Sequence, residues 1–497
     1  MNIRPLLFLF LFFATLTTRS QTTTSPTKPG LNQPGQTLTP EELQADFARF
    51  RTALHEVHPA MYRYSTKARF DSLFTATAAR LNRPMTQHEF YVTMVPILVA
   101  LRDGHIKWIV SGQDEHYPFY QEKLFPLKLY FIDDKAWIVG NYGAGTIPTG
   151  AQVLAINDQP IGTIINKLLP NMTFADGATI NGKYQDLNQF FSGFYATFIG
   201  APTVHKVTYR VKDSTITVQL PAVPYEAIKR YNEQHKPASQ LPHRVTFSND
   251  GQTAVMTIER FWSGENEQKF KTFLAEAFHE IRMKHINNLI LDLRNNEGGE
   301  EKYGVWLYEY LAQKPFRYYD HISVRQKKAY SFPAWTPKLY QKLRWLVVSK
   351  RGDGYVFTKQ KGLKIQKPQR DAYTGKLYVL INGSSFSVTT EFAARLHADK
   401  RATFVGQETG GAYEGNSSGI FTITQLPNSK IDLGIPMFGF HMANLPVNLQ
   451  TGQGIRPDHV VIPTIDDLLT GHDRAMQTTL LLIQSATSVM PKTTASN

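Results

Sequence analysis

Two segments of the sequence carry residues suited to acyl transfer, and each begins as a short apolar run typical of a buried strand. The first segment, Asn288 to Glu300, ends in the glycine pair of NNEGGE. The second, Lys376 to Gly411, contains a serine-rich turn with Ser387. Cleavage of a peptide or ester needs a hydroxyl nucleophile and a nest of donors for a negative oxygen. Together the segments predict the two halves of one acyl-transfer site.

Ser387 is the candidate nucleophile. Apolar residues follow it at helical spacing, which places it at or near a helix N-terminus, where the helix dipole favours developing negative charge. A serine that begins a helix is usually only a cap, so this position alone does not establish chemistry. Ser384 and Ser385 are rival nucleophiles by position.

The glycine turn supplies the candidate oxyanion hole. Gly298 and Gly299 follow a buried strand, and glycine lets the backbone approach a ligand closely. Their amides, with the amide of Val388, are predicted to hold the negative oxygen. The alternative is a plain turn between a strand and a helix.

His105 is the candidate general base, because a serine must lose its proton near neutral pH and histidine titrates in that range. It follows a predicted helix end in LRDGHIKW, far from Ser387 in the sequence. Spacing alone does not select it from the 15 histidines of the chain. His58 and His441 are equally possible on composition, and we interpret both as structural.

Composition narrows the function classes. The chain has 497 residues, 42% of them hydrophobic, which indicates two to four globular domains. The absence of cysteine excludes disulfides, thiolate nucleophiles and thiolate zinc sites. The net charge of +13 is dispersed, which predicts a basic surface and no nucleic-acid partner. With no metal-binding motif and no phosphate-binding glycine loop, no metal or cofactor is predicted.

The N-terminus predicts export. Arg4 precedes an apolar stretch from Leu6 to Leu16, which is shorter than the roughly 20 residues that span a bilayer. A secretory signal peptide over residues 1–20 is therefore predicted, and no later segment is apolar enough for membrane insertion. The expected location is extracytoplasmic, either periplasmic or secreted.

The hydrophobic periodicity changes along the chain and predicts several parts. Capping boxes at Thr39–Glu42 and Thr86–Glu89 open helices, hairpin patterns follow, and strands then alternate with helices. The predicted parts are a flexible leader 21–38, a helical domain 39–118, a β-rich module 119–225, an α/β domain 226–485 with an insertion 314–375, and a disordered tail 486–497.

Five motifs in order resemble the tricorn-like and C-terminal processing family of serine peptidases. DLRNNEGG resembles the family's DLRxNxGG signature, and GSSFSVTTEFAARL is similar to its nucleophile segment, with Ser387 and Glu391 at matching positions. The segments ATFVGQETGG and GQGIRPDHVV are similar to those that follow, and LRDGHIKW resembles a DGHT motif. The resemblance implies a parallel-rich α/β core of the ClpP/crotonase-like type, an N-terminal helical domain and a PDZ-like module.

Departures from the family pattern select its histidine-using branch. The lysine of the Ser-Lys branch falls at Ala412, so the resemblance makes His105 the base. Relatives also carry an acid late in the domain, but NLQTGQ has no carboxylate there. Glu408, Glu414 and Asp103 are the alternatives for the acid that orients the histidine.

The resemblance, together with the predicted signal peptide, implies a secreted or periplasmic serine endopeptidase. It would cleave peptides or proteins through an acyl-enzyme, with Ser387 as nucleophile and His105 as base. The PDZ-like module would capture an extended peptide or gate the cleft. One alternative is a non-catalytic protein on the same scaffold that binds a peptide or lipid. Another is an esterase that uses the same residues.

Overall fold

The computed structural model describes residues 36–143, 145, 147–446 and 449–488. The predicted signal peptide, most of the predicted leader and most of the predicted tail lie outside these residues. Thr37 and Leu38 were predicted as leader, yet they form a two-residue strand paired with Met85 and Thr86. No helix within the described ranges is long and apolar enough to cross a membrane.

Three helices open the described chain. The predicted capping boxes at Thr39 and Thr86 are confirmed, since each threonine side chain accepts the amide three residues on and each glutamate returns to the cap amide. The elements are β1 (Thr37–Leu38), α1 (Pro40–Val57), α2 (Lys67–Arg80), β2 (Met85–Thr86), α3 (Gln87–Leu101) and β3 (Lys107–Val110). Helix α3 ends at Leu101 because Arg102 adopts the left-handed conformation, so His105 lies in the turn between α3 and β3.

A β-rich part follows and has its own apolar core. The predicted hairpins at Asp133-Asp134 and at His205–Leu220 are confirmed by the strand pairing. The elements are β4 (Leu127–Ile132), β5 (Lys135–Asn141), β6 (Gln152–Ile156), β7 (Gln159–Pro160), α4 (Ile161–Leu168), a 3-10 turn (Leu169–Asn171), α5 (Asn181–Phe198), β8 (Val204–Val211), β9 (Ser214–Pro221) and α6 (Tyr225–Gln234). The strands form one sheet in the order β4-β5-β6-β8-β9, with β7 paired to β6.

The parallel-rich sheet predicted for the α/β part is present. Its order is β10-β11-β12-β16-β17-β20, and every neighbouring pair except β10 and β11 is parallel. The strands are β10 (His243–Phe247), β11 (Thr253–Ile258), β12 (Asn288–Asp292), β16 (Lys376–Ile381), β17 (Thr403–Gly406) and β20 (His459–Val460). The helices of this part are α7 (Phe270–Met283), α8 (Glu301–Glu309), α10 (Val388–Ala398), α11 (Ile465–Thr470) and α12 (Arg474–Ser488). Since the carboxyl ends of β12 and β16 are adjacent, the glycine turn and the serine turn meet.

A third sheet includes three short strands from the segment predicted as an insertion. Its order is β14-β15-β13-β19-β18, and β3 pairs with another part of β19. The elements are β13 (Tyr319–Val324), α9 (Lys338–Val347), β14 (Val348–Arg351), β15 (Gly354–Phe357), β18 (Ser417–Gln425) and β19 (Ile431–Met442). The 314–375 segment is therefore regular in part. Its hydrophobic periodicity is weak because these strands are only four to six residues long. Strands β14 and β15 pair locally, whereas β13 also pairs with the distant β19.

The N-terminal helices and the parallel-rich sheet share one continuous apolar core. Phe50 and Leu98 from the helices belong to the same buried cluster as Leu291 and Phe392. Strand β3, which follows the N-terminal helices, also joins the third sheet because it pairs with residues 431–434 of β19. The segment that carries His105 is thus fixed rigidly against the part that carries Ser387.

Asp46 connects helix α1 to the third sheet and allows a test of how much this contact stabilises the fold. It is fully buried on α1, and its carboxylate accepts the amides of Asn428 (3.0 Å) and Ser429 (2.7 Å) in the turn between β18 and β19. Asp46→Ala would leave these amides unpaired, so the free energy of unfolding should fall by about 3 kcal/mol. Urea unfolding followed by circular dichroism measures the loss.

The matched control for this prediction is Asp71→Ala on α2. Asp71 pairs with Lys67 at the exposed surface, where ion pairs contribute little to stability. The control should therefore unfold at nearly the wild-type urea concentration. Equal midpoints for the Asp46 variant and the wild type would contradict the anchoring role.

Candidate active site

Ser387 stands at the N-terminus of α10 in a backbone conformation rare for a side-chain-bearing residue, with φ of 56° and ψ of −126°. Positive φ is costly outside glycine and persists where the surrounding structure enforces it. The Ser387 hydroxyl makes no cap hydrogen bond to the helix. The usual reason for a serine at this place, helix capping, does not apply here.

The neighbouring serines have other positions. Ser385 Oγ donates to the carbonyl of Leu293 at 2.9 Å and accepts the amide of Asn382 at 3.1 Å. These bonds tie the serine turn to the end of β12. Ser384 and Ser385 are both almost fully buried within the turn. Of the three serines, Ser387 is the one whose hydroxyl contacts a histidine ring.

His105 Nε2 lies 3.0 Å from Ser387 Oγ, although the two residues are 282 positions apart. The distance is within hydrogen-bond reach and meets the geometric requirement for a nucleophile and its base. The imidazole stacks on the ring of Phe386, with centroids 4.7 Å apart. The side chain of His105 is 13% exposed, so the ring is largely shielded from water.

Gly104 allows this close approach. A Cβ at this position would lie 2.6 Å from the Phe386 ring and 3.0 Å from the backbone nitrogen of Ala175. Any larger residue would push the His105 turn away from the serine turn. Close packing against Phe386 and Ala175 therefore explains why the LRDGHIKW motif has glycine at this position.

The glycine turn lies directly against Ser387. A Cβ on Gly298, whose φ is 101°, would lie 2.8 Å from Ser387 Cβ and 3.0 Å from the amide nitrogen of Val388. The Gly298 amide itself donates to Asn296 Oδ1 at 2.9 Å, so it is already engaged inside the turn. Gly298 therefore brings the turn close to Ser387 without offering its own amide.

Gly299 is oriented differently. It forms an isolated parallel bridge to Phe261, in which the flanking groups bond: Phe261 N donates to Gly298 O and Glu300 N to Phe261 O. In a parallel bridge, the residue whose two neighbours make the hydrogen bonds turns its own amide away from the partner strand, and here that residue is Gly299. The Gly299 amide therefore points to the side opposite Phe261.

An open cleft of about 370 Å³ adjoins the glycine turn. It is lined by Glu259, Arg260, Trp262, Asn295, Glu297, Gly298 and Gly299. The guanidinium of Arg260 lies over the Trp262 ring, 3.7 Å from its centroid, which fixes one wall. The cleft is large enough to receive part of an extended chain beside Ser387.

Behind His105 lies a buried group of titratable side chains. Asp103 accepts the His105 amide at 2.9 Å through Oδ1 and places Oδ2 3.0 Å from His58 Nε2. Burial favours the neutral acid, but the two imidazoles outweigh it and hold the pKa of Asp103 well below its usual range. Asp176 Oδ1 accepts the amide of Gly104 at 2.9 Å. Burial raises the pKa of Asp176 to about 7.

Asp103, His105 and Asp176 also form a possible metal-binding set, since each brings one ligand atom within 4.8 Å of the other two. Two carboxylates and one imidazole suit a divalent cation. No metal is predicted from the sequence. In the structure, these three side chains are the place where metal binding should be tested.

The other predicted acids have separate positions. Glu408 Oε1 accepts the amide of Gly454 at 2.9 Å, and Glu414 Oε1 accepts that of Gly452 at 2.8 Å. Both carboxylates thereby hold the loop before β20. Glu391, one turn after Ser387, accepts from the Tyr319 hydroxyl at 2.5 Å and from Asn416 at 2.9 Å. Burial raises its pKa to about 8, which fits an internal scaffold role.

The two alternative histidines differ in their relation to the site. His441 stacks on His321 with centroids 4.0 Å apart and lies 3.2 Å from Ser323 Oγ, on the third sheet. His58 contacts Asp103 and so belongs to the group behind His105. Nothing in the sequence indicated that His58 lies next to the aspartate that contacts His105.

Residues 252–461 match the model of peptidase family S41. The matched segment, which contains Gly298, Gly299 and Ser387, is therefore a peptidase family S41 domain, and the protein is a serine-type peptidase. The family implies peptides or proteins as substrates. No curated protein sequence matches the chain significantly.

Solved structures share the fold over most of the chain. Mature CPAF complexed with lactacystin has a TM-score of 0.61 at 14% identity, with 89% of this chain and 98% of that chain covered. Mature CPAF alone has a TM-score of 0.57 at 13% identity, with 86% of this chain and 94% of that chain covered. At these identities the likeness concerns the fold alone.

Proposed function

We propose that the protein is an endopeptidase that cleaves peptide bonds through an acyl-enzyme formed on Ser387. The observation that carries this proposal is the 3.0 Å contact between Ser387 Oγ and His105 Nε2. Two further features support it: the hydroxyl does not cap its helix, and its backbone is held at positive φ beside a glycine turn. Each is expected of a nucleophile and none is needed by a simple cap.

In the first half-reaction, Ser387 Oγ attacks the peptide carbonyl while His105 Nε2 takes the hydroxyl proton. The C–N bond then breaks, and the same proton passes to the departing amine. In the second half-reaction, water attacks the ester and gives a proton to His105. That proton returns to Ser387 as the carboxylic acid leaves.

The negative oxygen of each tetrahedral intermediate would be held by the amides of Val388 and Gly299. Val388 is the first residue of α10, where the helix dipole adds to the amide's attraction for an anion. Gly298 contributes by its lack of a side chain, because a Cβ there would fill the space beside Val388 N. Of the three residues predicted for the oxyanion hole, Gly299 and Val388 would donate their amides, and Gly298 would leave space for the negative oxygen.

The rest of the chain would serve the same activity. We propose that the β4–β9 part is a PDZ-like module that captures an extended peptide, and that α1–α3 form the N-terminal domain that carries the base. The predicted signal peptide, which lies outside the described residues, would direct the enzyme to the periplasm or the exterior. A binding protein without catalysis and an esterase are the alternative functions.

Covalent labelling tests the proposal directly. The protein is incubated with a fluorophosphonate probe, and mass spectrometry maps the adduct; we expect it on Ser387 and on neither Ser384 nor Ser385. Lactacystin, which is bound in one of the CPAF structures, serves as a second probe. Heat-denatured protein is the control and should carry no adduct.

Digestion of a peptide library then separates the alternatives. Internal cleavage together with the adduct supports an endopeptidase. Turnover of nitrophenyl esters without any peptide cleavage would make the protein an esterase. A folded protein that binds peptide or lipid, acquires no adduct and cleaves nothing would be the non-catalytic alternative.

A further inference from the structure

The candidate base needs a partner that the sequence did not provide. For His105 Nε2 to accept the serine proton, the ring must carry its own proton on Nδ1, and a fixed acceptor normally holds that tautomer. Within the described residues, His105 Nδ1 is buried and has no hydrogen-bond partner. An acceptor close to this nitrogen would complete the site.

Asp176 presents a free acceptor at this place. Its side chain is 1% exposed, and within the described part of the chain its Oδ2 has no hydrogen-bond partner. One oxygen of Asp176 and one ring nitrogen of His105 lie within 4.8 Å of each other. Since Nε2 faces Ser387, Nδ1 is the nitrogen left for the carboxylate.

Asp103 is the competing acceptor, and its contacts assign it another task. Its Oδ1 lies 3.7 Å from Nδ1, nearer than Asp176, but this oxygen already accepts the backbone amide of His105 at 2.9 Å. Its Oδ2 faces His58 at 3.0 Å. Asp103 therefore fixes the backbone of the His105 turn, and the His58 ring lies beside its second oxygen.

The loop that carries Asp176 is fastened to both halves of the site. The amide of Asp176 donates to Gly410 O at 3.0 Å, next to the serine turn. The amide of Gly177 donates to Arg102 O at 2.9 Å, next to the histidine turn. A Cβ on Gly177 would lie 2.4 Å from Gly452 Cα, so the loop is tightly enclosed. Such a loop holds a carboxylate at one position with little freedom.

We infer that Asp176 is the positioning acid of this site, whose Oδ2 accepts the Nδ1 proton of His105 and stabilises the imidazolium that forms when Ser387 gives up its proton. This inference rests on the proposed peptidase function. The ring and the carboxylate need to approach by a small movement, as catalytic hydrogen bonds often do when substrate binds.

The electrostatic surroundings agree with this role. The pKa of Asp176 is raised to about 7, because burial and the nearby charge of Asp103 outweigh the lowering effect of the positive charges of His105 and Arg63. Tyr64 and Glu391 are the other titratable groups that interact with it. The ionised carboxylate of Asp176 attracts the imidazolium as it forms, which favours the transition state.

Asp176→Asn tests the inference. The amide oxygen can still accept the Gly104 amide, so the melting temperature should stay close to wild type. We expect kcat to fall on the order of 10²- to 10⁴-fold with KM nearly unchanged, because the neutral amide can favour the wrong tautomer. The acid limb of the pH–rate profile should also move to lower pH, since the imidazolium loses its anionic neighbour.

Two further variants keep the test decisive. Asp176→Glu keeps the charge and should recover part of the lost kcat. Asp103→Asn can still accept the His105 amide but loses the charge that faces His58, so it should lower kcat far less than Asp176→Asn does. If Asp103→Asn shows the kcat and pH signature while Asp176→Asn does not, Asp103 is the positioning acid and the inference is wrong.

Metal and function controls complete the design. Wild-type activity should be unchanged by EDTA and by removal of trace zinc; a loss under either condition would make Asp176 a metal ligand and overturn the inference. If Ser387 is labelled and peptides are cleaved but Asp176→Asn behaves as wild type, only the inference fails. If Ser387 is not labelled at all, the proposed function itself fails.

Discussion

Ser387→Ala should lower kcat for peptide cleavage by a factor on the order of 10⁶, because the variant has no nucleophile at the end of the serine turn. Covalent labelling by the fluorophosphonate probe should disappear entirely. The fold should be unaffected, since the hydroxyl does not cap α10 and its contact in the site is with His105. Progress curves with an internally quenched peptide measure the loss, and thermal melting checks the fold.

Ser384→Ala is the matched control for this prediction. Ser384 is three residues away in the same turn and is almost fully buried, so the two variants differ in chemistry rather than in location. The control should retain labelling and most of the activity. Substantial turnover in the Ser387 variant, with loss in the Ser384 variant, would move the nucleophile to Ser384.

His105→Ala should lower kcat by a comparable factor, because a serine without its base attacks a carbonyl no better than the background reaction. Since the two residues act as a unit, the double variant with Ser387→Ala should be no slower than either single variant. Single-turnover kinetics at saturating substrate measure this non-additivity.

His279→Ala, on the exposed face of α7, controls for the general effect of removing an imidazole. It should be indistinguishable from wild type. If His105→Ala and Ser387→Ala instead multiplied their effects in the double variant, the two side chains would act independently and the shared proton transfer would be refuted.

Local signals predicted the elements of the fold well. The capping boxes of α1 and α3 and the turn residues of two hairpins depend on a few neighbouring side chains, so the sequence reveals them. The uninterrupted apolar run of β12 likewise predicted a strand covered on both faces. These features need no knowledge of distant parts of the chain.

Long-range pairing limited the prediction elsewhere. Strands β13, β14 and β15 are four to six residues long, and β13 pairs with β19 more than a hundred positions away, which weak periodicity cannot reveal. Helix α3 ends where Arg102 takes the left-handed conformation, two residues before the glycine of the motif. Tertiary contacts of the His105 turn determine where this helix ends.

The candidate site was predicted unevenly for the same reason. Ser387 and Gly298 stand at the ends of apolar runs and could be found from pattern, whereas His105 was selected only through the family resemblance. Asp176 lies in an Asp-Gly pair that reads as an ordinary surface turn. Its burial depends on loops contributed by three separate segments, and no local signal carries that information.

The pairing of β3 with β19 has a consequence for when the enzyme becomes active. The candidate base is synthesised hundreds of positions before the candidate nucleophile, and β19, the strand that pairs with β3, is made later still. A nascent or truncated chain thus lacks a working centre, and so does the 252–461 segment by itself. In the proposed mechanism, peptide cleavage therefore begins only when synthesis is nearly finished, and a cut that releases the N-terminal helices would remove the base and end activity.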